Sequence, residues 1–235
     1  MRDRGAKGRF PLLSVLGPLL LLGTILSGCA TPMVGKRSFA PDPQGISSGR
    51  MEIREGFLVA SSEGIKVSVK FLTSAEWLDF MRGRSKDPIP FDPTAPWIEL
   101  VTPFLVTITN GSPVPLIFEG QKGTLRDDRD HQLSSMGLLD FFPFFSEEAG
   151  ASKEMEMMAR VLFRSAPMAV GESREGLLFF RPPEPKAKGA NLEIILISAD
   201  RALKRHQFSF PFVIESLQPE SRGASPQGLD LGRKD

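Results

Sequence analysis

Ile65, Val67, Val69 and Phe71 alternate with Lys66, Ser68 and Lys70. A period of two sends every apolar side chain to one face of a strand, so this stretch lies with that face on a core. Phe57 to Ala60 precedes it, and Ser61-Ser62-Glu63-Gly64 between the two reads as a hairpin turn. The same texture returns further on. Phe104, Val106 and Ile108 alternate with Leu105, Thr107 and Thr109 before the turn Asn110-Gly111-Ser112-Pro113. Leu116, Ile117 and Phe118 start a return strand, and Leu125 and Gln132-Leu133 flank a polar turn. Arg174–Arg181, Leu192–Ser198 and His206–Glu215 read as three closing strands, and Pro211 argues that the last is an edge strand or carries a bulge.

Helical signals are few. Thr73-Ser74-Ala75-Glu76 matches a capping box, so a short helix is expected over Ser74–Arg82. Met155, Met158, Ala159 and Leu162 recur at helical spacing, which places a second helix over Ser152–Phe163. Helices do not alternate with strands, so parallel βαβ units are not expected. The expected fold is mainly β, a single antiparallel β-sandwich of about 7–8 strands with two short helical insertions, with a small barrel as the structural alternative.

The N-terminus carries a different signal. Arg2, Arg4, Lys7 and Arg9 face one acid, Asp3, and an apolar run follows from Phe10 to Leu26. That run is 17 residues long and contains Pro11 and Pro18, whereas a spanning helix needs about 20 apolar residues. A cleaved signal is therefore expected over residues 1–28. The run ends in Leu26-Ser27-Gly28-Cys29, an aliphatic residue, two small ones and the chain's single Cys. This order resembles the signal peptide of bacterial lipoproteins. The resemblance implies a diacylglycerol thioether on Cys29, cleavage after Gly28, and membrane attachment through that lipid. Ala30 stands where an Asp would resemble an inner-membrane retention signal, so the resemblance implies the outer membrane, facing the periplasm, if the source has two membranes.

Residues 29–50, rich in Pro, Gly and Ser, read as the lipidated Cys and a flexible tether, residues 51–215 as the domain, and residues 216–235 as a disordered tail. Two segments of the domain resemble immunoglobulin-like domains of bacterial surface and periplasmic lipoproteins. They are Phe104–Ser112 with Val114–Phe118, and Val170–Phe180 with its Gly-Glu turn. The insertions around 73–96 and 136–165 depart from that pattern, and the paired Cys of antibody-type domains is missing. Such domains imply binding or scaffolding, with no catalytic residues to carry over.

Charge narrows the partners. Residues 1–28 hold four basic groups and one acid, so the 29 basic and 28 acidic groups of the chain become 25 and 27, a formal charge of −2. Nucleic acid is not an expected partner for such a chain, while another envelope protein is. One Cys builds neither a disulfide nor a Cys-based zinc site. Gly171-Glu172-Ser173-Arg174-Glu175 fails the G-x-S-x-G elbow at its fifth position. The two His, His131 and His206, are expected on the surface, which leaves no triad and no enzyme. Met155-Glu156-Met157-Met158 fits core spacing better than a copper site. Asp127, Asp128, Asp130 and His131 form a weak candidate for a calcium or transition-metal site in a solute- or metal-binding lipoprotein, without EF-hand spacing. Phe141, Phe142, Phe144 and Phe145 are the candidate partner contact, either an exposed apolar loop or a cap on the sandwich. No cofactor is expected beyond the lipid on Cys29.

Overall fold

A computed structural model describes residues 37–46, 51–86, 88–90, 92–119, 122–145 and 151–216. The Leu26–Cys29 motif and the 217–235 segment lie outside them, as do 30–36 and 47–50 of the expected tether. The described residues form two antiparallel sheets. One contains the strands β2 (Met51–Arg54), β3 (Phe57–Ser62), β4 (Ile65–Phe71), β5 (Thr102–Asn110) and β10 (Ser173–Phe180), in the order β10-β5-β4-β3-β2. The other runs β1 (Arg37–Pro41), β12 (Arg205–Ser216), β11 (Gly189–Ser198), β6 (Leu116–Ile117) and β9 (Pro167–Met168). In this second sheet β7 (Thr124–Asp127) also pairs with β11, and β8 (Gln132–Ser134) pairs with β7.

One apolar cluster draws on both sheets, with Ile65, Val67, Val69, Phe104, Val106 and Ile108 from one and Leu192, Ile194, Leu196, Phe208 and Phe210 from the other. The period-two pattern is the cause, since each of these strands turns its apolar set to the same side. The expected sandwich is thus present, with more strands than the sequence pattern resolves.

β10 explains the insertions. Its run Leu177-Leu178-Phe179-Phe180 does not alternate, and a continuous apolar strand is one covered on both faces. Leu178 and Phe180 join the sandwich core. Leu177 and Phe179 point the other way, into a second cluster. That cluster is completed by Trp77, Leu78 and Met81 of the helix α1 (Ser74–Arg84), Trp97 and Ile98 of the 3-10 helix η1 (Pro96–Leu100), Phe141 of the 3-10 helix η2 (Leu138–Phe144), and Met157, Met158 and Val161 of the helix α2 (Ala151–Val161). The insertions form a helical layer on the outer face of the first sheet. α1 starts with the expected capping box, and Lys70 of β4 reaches Glu76 at 2.9 Å. α2 leaves across β10 at Gly176, where the Phe163 amide donates to Leu177 O at 2.9 Å. A Cβ on Gly176 would lie 2.6 Å from Phe163 Cα, so only glycine admits that crossing.

Two expectations are corrected. Arg37–Pro41, expected within the tether, forms β1 on β12, and Phe39 is buried against the rings of Phe71, Phe104 and Phe212. One aromatic among Pro, Ser and Gly gave no period to read. β12, in turn, is not an edge strand, because β1 and β11 flank it. Pro211 is tolerated because β1 ends beside it. The last pair is Pro41↔Phe212, and Pro211 O accepts from the Asp42 amide at 3.0 Å, so the missing N–H faces the side that β1 is leaving.

The strands share two poles. At the terminal pole, β1 begins beside the end of β12 (Arg37↔Ser216), and Phe71, Thr102 and Pro182 line a cleft with Arg37. At the turn pole, the Gly111 amide donates to Gly64 O at 2.9 Å, and Lys204 reaches Glu63 at 2.6 Å across the two sheets. Among the described residues, no helix is long and apolar enough to cross a membrane.

Candidate functional site

The Asp127 turn is built around one buried carboxylate. Asp127 accepts from the amides of Arg129 and His131, each at 2.9 Å, and of Glu184 at 3.3 Å, with the His131 ring Nδ1 at 3.2 Å. Burial pushes the carboxyl up, but the donors from His131, Arg129 and Glu184 outweigh it and hold the group below the usual carboxylate range. Asp128 faces elsewhere and accepts from the Lys188 amide. Asp130 takes a positive φ of 65° at the tip. The oxygens of Asp127 are taken up by the turn, and the described residues contain no group of three or more His, Cys, Asp or Glu placed to share an ion.

The phenylalanine cluster splits. η2 is a 3-10 helix, and three residues per turn stack positions i and i+3 on one face. Phe141 is fully buried, with its ring 5.2 Å from Phe179, and Phe145 is buried against Trp97. Phe144 is half-buried, stacked on Trp97 at 5.6 Å, with the Arg181 guanidinium 5.3 Å from its centroid. Phe142 faces outward at 55% exposure, and one turn earlier Leu139 does so at 80%. The Gly137 amide donates to the Asp140 carboxylate at 2.6 Å and fixes the start of the helix. Phe141 and Phe145 are thus corrected from partner contact to core. Leu139 was missed, although a period of three from Phe142 would have found it.

A third constellation was also missed. His206, expected on the surface, is buried, and its Nε2 lies 3.0 Å from Ser198 Oγ. Its Nδ1 is 3.4 Å from the Glu63 carboxylate. Ser, His and acid in this order resemble a nucleophile, base and orienting group. Ser198 is buried on the inner face of β11. Its amide donates to Lys204 O at 2.8 Å, and that of Ala199 to Pro115 O at 2.8 Å. The backbone donors of Ser198 and Ala199 are therefore both committed. The cluster ties the β3–β4 turn to the β11–β12 turn. His131, by contrast, lies on the surface as expected.

At the terminal pole, a cleft of about 280 Å³ opens between β1 and the start of α1, lined by Arg37, Phe39, Phe71, Leu72, Ser74 and Ile98 among others. Its floor is apolar, and Arg37 at its rim donates to Pro183 O at 2.7 Å and Glu184 O at 3.0 Å.

No family model matches the chain, and no curated protein matches it. Among solved structures, it is similar to a protein of Bacillus subtilis subsp. subtilis str. 168 provisionally described as a lipoprotein, at 20% identity and a TM-score of 0.34. That match covers 64% of this chain and 37% of the other, so the chain spans little more than a third of the Bacillus protein. A DUF4426 family protein of Pseudomonas aeruginosa PAO1 is matched over 71% of this chain and 100% of that one, at 12% identity and a TM-score of 0.36. A functionally unknown protein of Listeria monocytogenes EGD-e is matched over 76% and 87%, at 12% identity and a TM-score of 0.34.

Proposed function

We propose that this chain is a lipid-anchored cell-envelope protein whose sandwich serves as an interaction module and performs no chemistry of its own. The anchor is Cys29, placed by Leu26-Ser27-Gly28 at the end of an apolar run. The outer membrane facing the periplasm is its place in a two-membrane source. The observation that carries the module reading is the ridge on η2. Leu139 and Phe142 are held outward by a helix whose other aromatic residues, buried Phe141 and half-buried Phe144, pack on the helical-layer cluster. A large apolar pair displayed on a fixed backbone suits contact better than catalysis.

Intact mass and membrane fractionation of wild type against Cys29→Ser test the anchor. Acyl mass and membrane residence in wild type, both lost in the variant, support it, and an unmodified soluble wild type ends it. One observation favours a second reading, the 3.0 Å Ser198–His206 contact, which would make this a serine hydrolase. Labelling by a fluorophosphonate, abolished in Ser198→Ala, would support that reading. No label on the folded wild type would dismiss it.

A further inference from the structure

We propose that Leu139 and Phe142, together with Leu100 of η1, dock onto the same bilayer that holds Cys29. The proposal rests on the anchored reading above. Its new premise is where the fold starts. β1 begins at Arg37, so residues 30–36 are all that separate the lipidated Cys from the first strand. Eight Cα steps of 3.3–3.6 Å span at most about 29 Å in any conformation. The terminal pole is therefore confined near the membrane surface.

From Arg37 the contacts run unbroken to the ridge. The Arg37 guanidinium holds Pro183 O and Glu184 O. Arg181, two residues before Pro183, covers the Phe144 ring. Phe144 stacks on Trp97 of η1, and η1 ends in Leu100, which is 42% exposed. Phe142 and Leu139 stand on the outer side of η2, whose inner side makes these contacts. Apolar residues beside an arginine that lies along an aromatic face suit the headgroup boundary, where the apolar atoms enter and the cation stays with the phosphates. Because the anchor makes the second contact intramolecular, a few apolar side chains suffice. Among the described residues of this pole, the exposed Arg181, Lys186 and Lys188 match the exposed Glu99, Asp140 and Glu184 in charge. Docking is accordingly apolar and insensitive to salt.

The test uses the full acylated chain. With Cys29 in a thioether, Phe142→Cys supplies a single free thiol for a nitroxide, and Val170→Cys, at the turn pole, supplies the control. The protein is reconstituted in vesicles of phosphatidylethanolamine and phosphatidylglycerol. Accessibility is read by power saturation with oxygen, which partitions into lipid, and a nickel chelate, which does not. Docking predicts that the label at position 142 loses chelate accessibility on vesicle binding and gains oxygen accessibility, while position 170 keeps both values. Raising the salt to about 0.5 M leaves the pattern unchanged. Equal chelate accessibility at the two positions in floated, acylated protein overturns the proposal. So does a label at 142 that is shielded from both reagents, which would indicate a protein partner or a second copy. A chain without acyl mass that fails to float refutes the anchor itself, and the docking falls with it.

Discussion

Phe141 and Phe142 are neighbours of identical chemistry, and their truncation to alanine should have opposite consequences. Phe141 is fully buried in the helical layer, with ring partners Phe179 at 5.2 Å, Phe144 at 6.3 Å and Trp97 at 6.4 Å. Removing a buried benzyl group costs about 3–5 kcal/mol, from lost transfer energy and the cavity left behind. Edge-to-face pairs add about 0.5–1.5 kcal/mol each beyond burial, which places Phe141→Ala toward the upper end of that range. A chain of this size loses roughly 2–4 °C of Tm per kcal/mol, so a fall of about 6–20 °C is expected. Phe142→Ala should change stability by no more than about 0.5 kcal/mol, as surface substitutions do.

Urea and thermal unfolding, followed in parallel by far-UV circular dichroism and by fluorescence, provide the assay. The chain's two tryptophans, Trp77 and Trp97, both sit in the helical-layer cluster, so emission reports that layer while dichroism reports the sheets. If the layer loosens first in Phe141→Ala, the fluorescence transition will precede the dichroism transition. Equal losses from the two variants, or a silent Phe141→Ala, would refute the assignment of the inner and outer faces of η2, and the docking ridge with it.

Gly176→Ala should destabilise by about 1–3 kcal/mol, measured as a lower urea midpoint, because the new methyl meets Phe163 backbone at 2.6 Å. Asp127→Ala leaves the three amide donors of its turn without their acceptor and should cost about 1–3 kcal/mol near neutral pH. The folded Asp127 carboxyl lies below its unfolded value, so its contribution is complete above the unfolded value and is lost as pH falls through the folded one. Parallel urea titrations between about pH 7 and pH 2 should therefore show the gap to wild type narrowing on acidification. Glu154 has the opposite sign. Burial raises its carboxyl, and one oxygen finds no hydrogen-bond partner among the described residues, so ionisation weakens the fold as pH rises above the unfolded value. Glu154→Gln should thus raise Tm at neutral pH and match wild type in acid. Calcium should leave Tm unchanged, since Asp127 is already satisfied by its own turn, and a concentration-dependent rise would restore the metal reading.

Strand alternation, the capping box at Thr73 and the turn residues after Asn110 are local signals, and local signals are legible in one sequence. Ile65–Phe71 shows its buried face because period two needs only neighbouring residues to be read. The buried Asn110 at the end of β5 was visible as a turn residue. Its amide nitrogen in fact donates to Val114 O, Met168 O and Ala169 O, two of which lie some sixty positions away. β1 was hidden because a five-residue edge strand with one inward aromatic has no period.

The placement of the aromatic ring set at 141–145 followed the same division. Its composition showed that something apolar had to be covered or displayed. Which ring went where depended on the three-residue turn of η2 and on Trp97 and Phe179, contributed from distant segments. The pairing of Ser198 with His206 is likewise a product of two strands lying side by side, invisible in a chain that separates them by a turn. By itself, then, the sequence determined the sandwich, its turns, the capped helix and the Leu26–Cys29 motif, because these depend on spacing along the chain. Tertiary structure decided how short the link from Cys29 to the fold is, which phenylalanines face out, and that the Asp127 carboxylate also accepts from the distant Glu184 amide, because these depend on contacts between residues far apart in sequence.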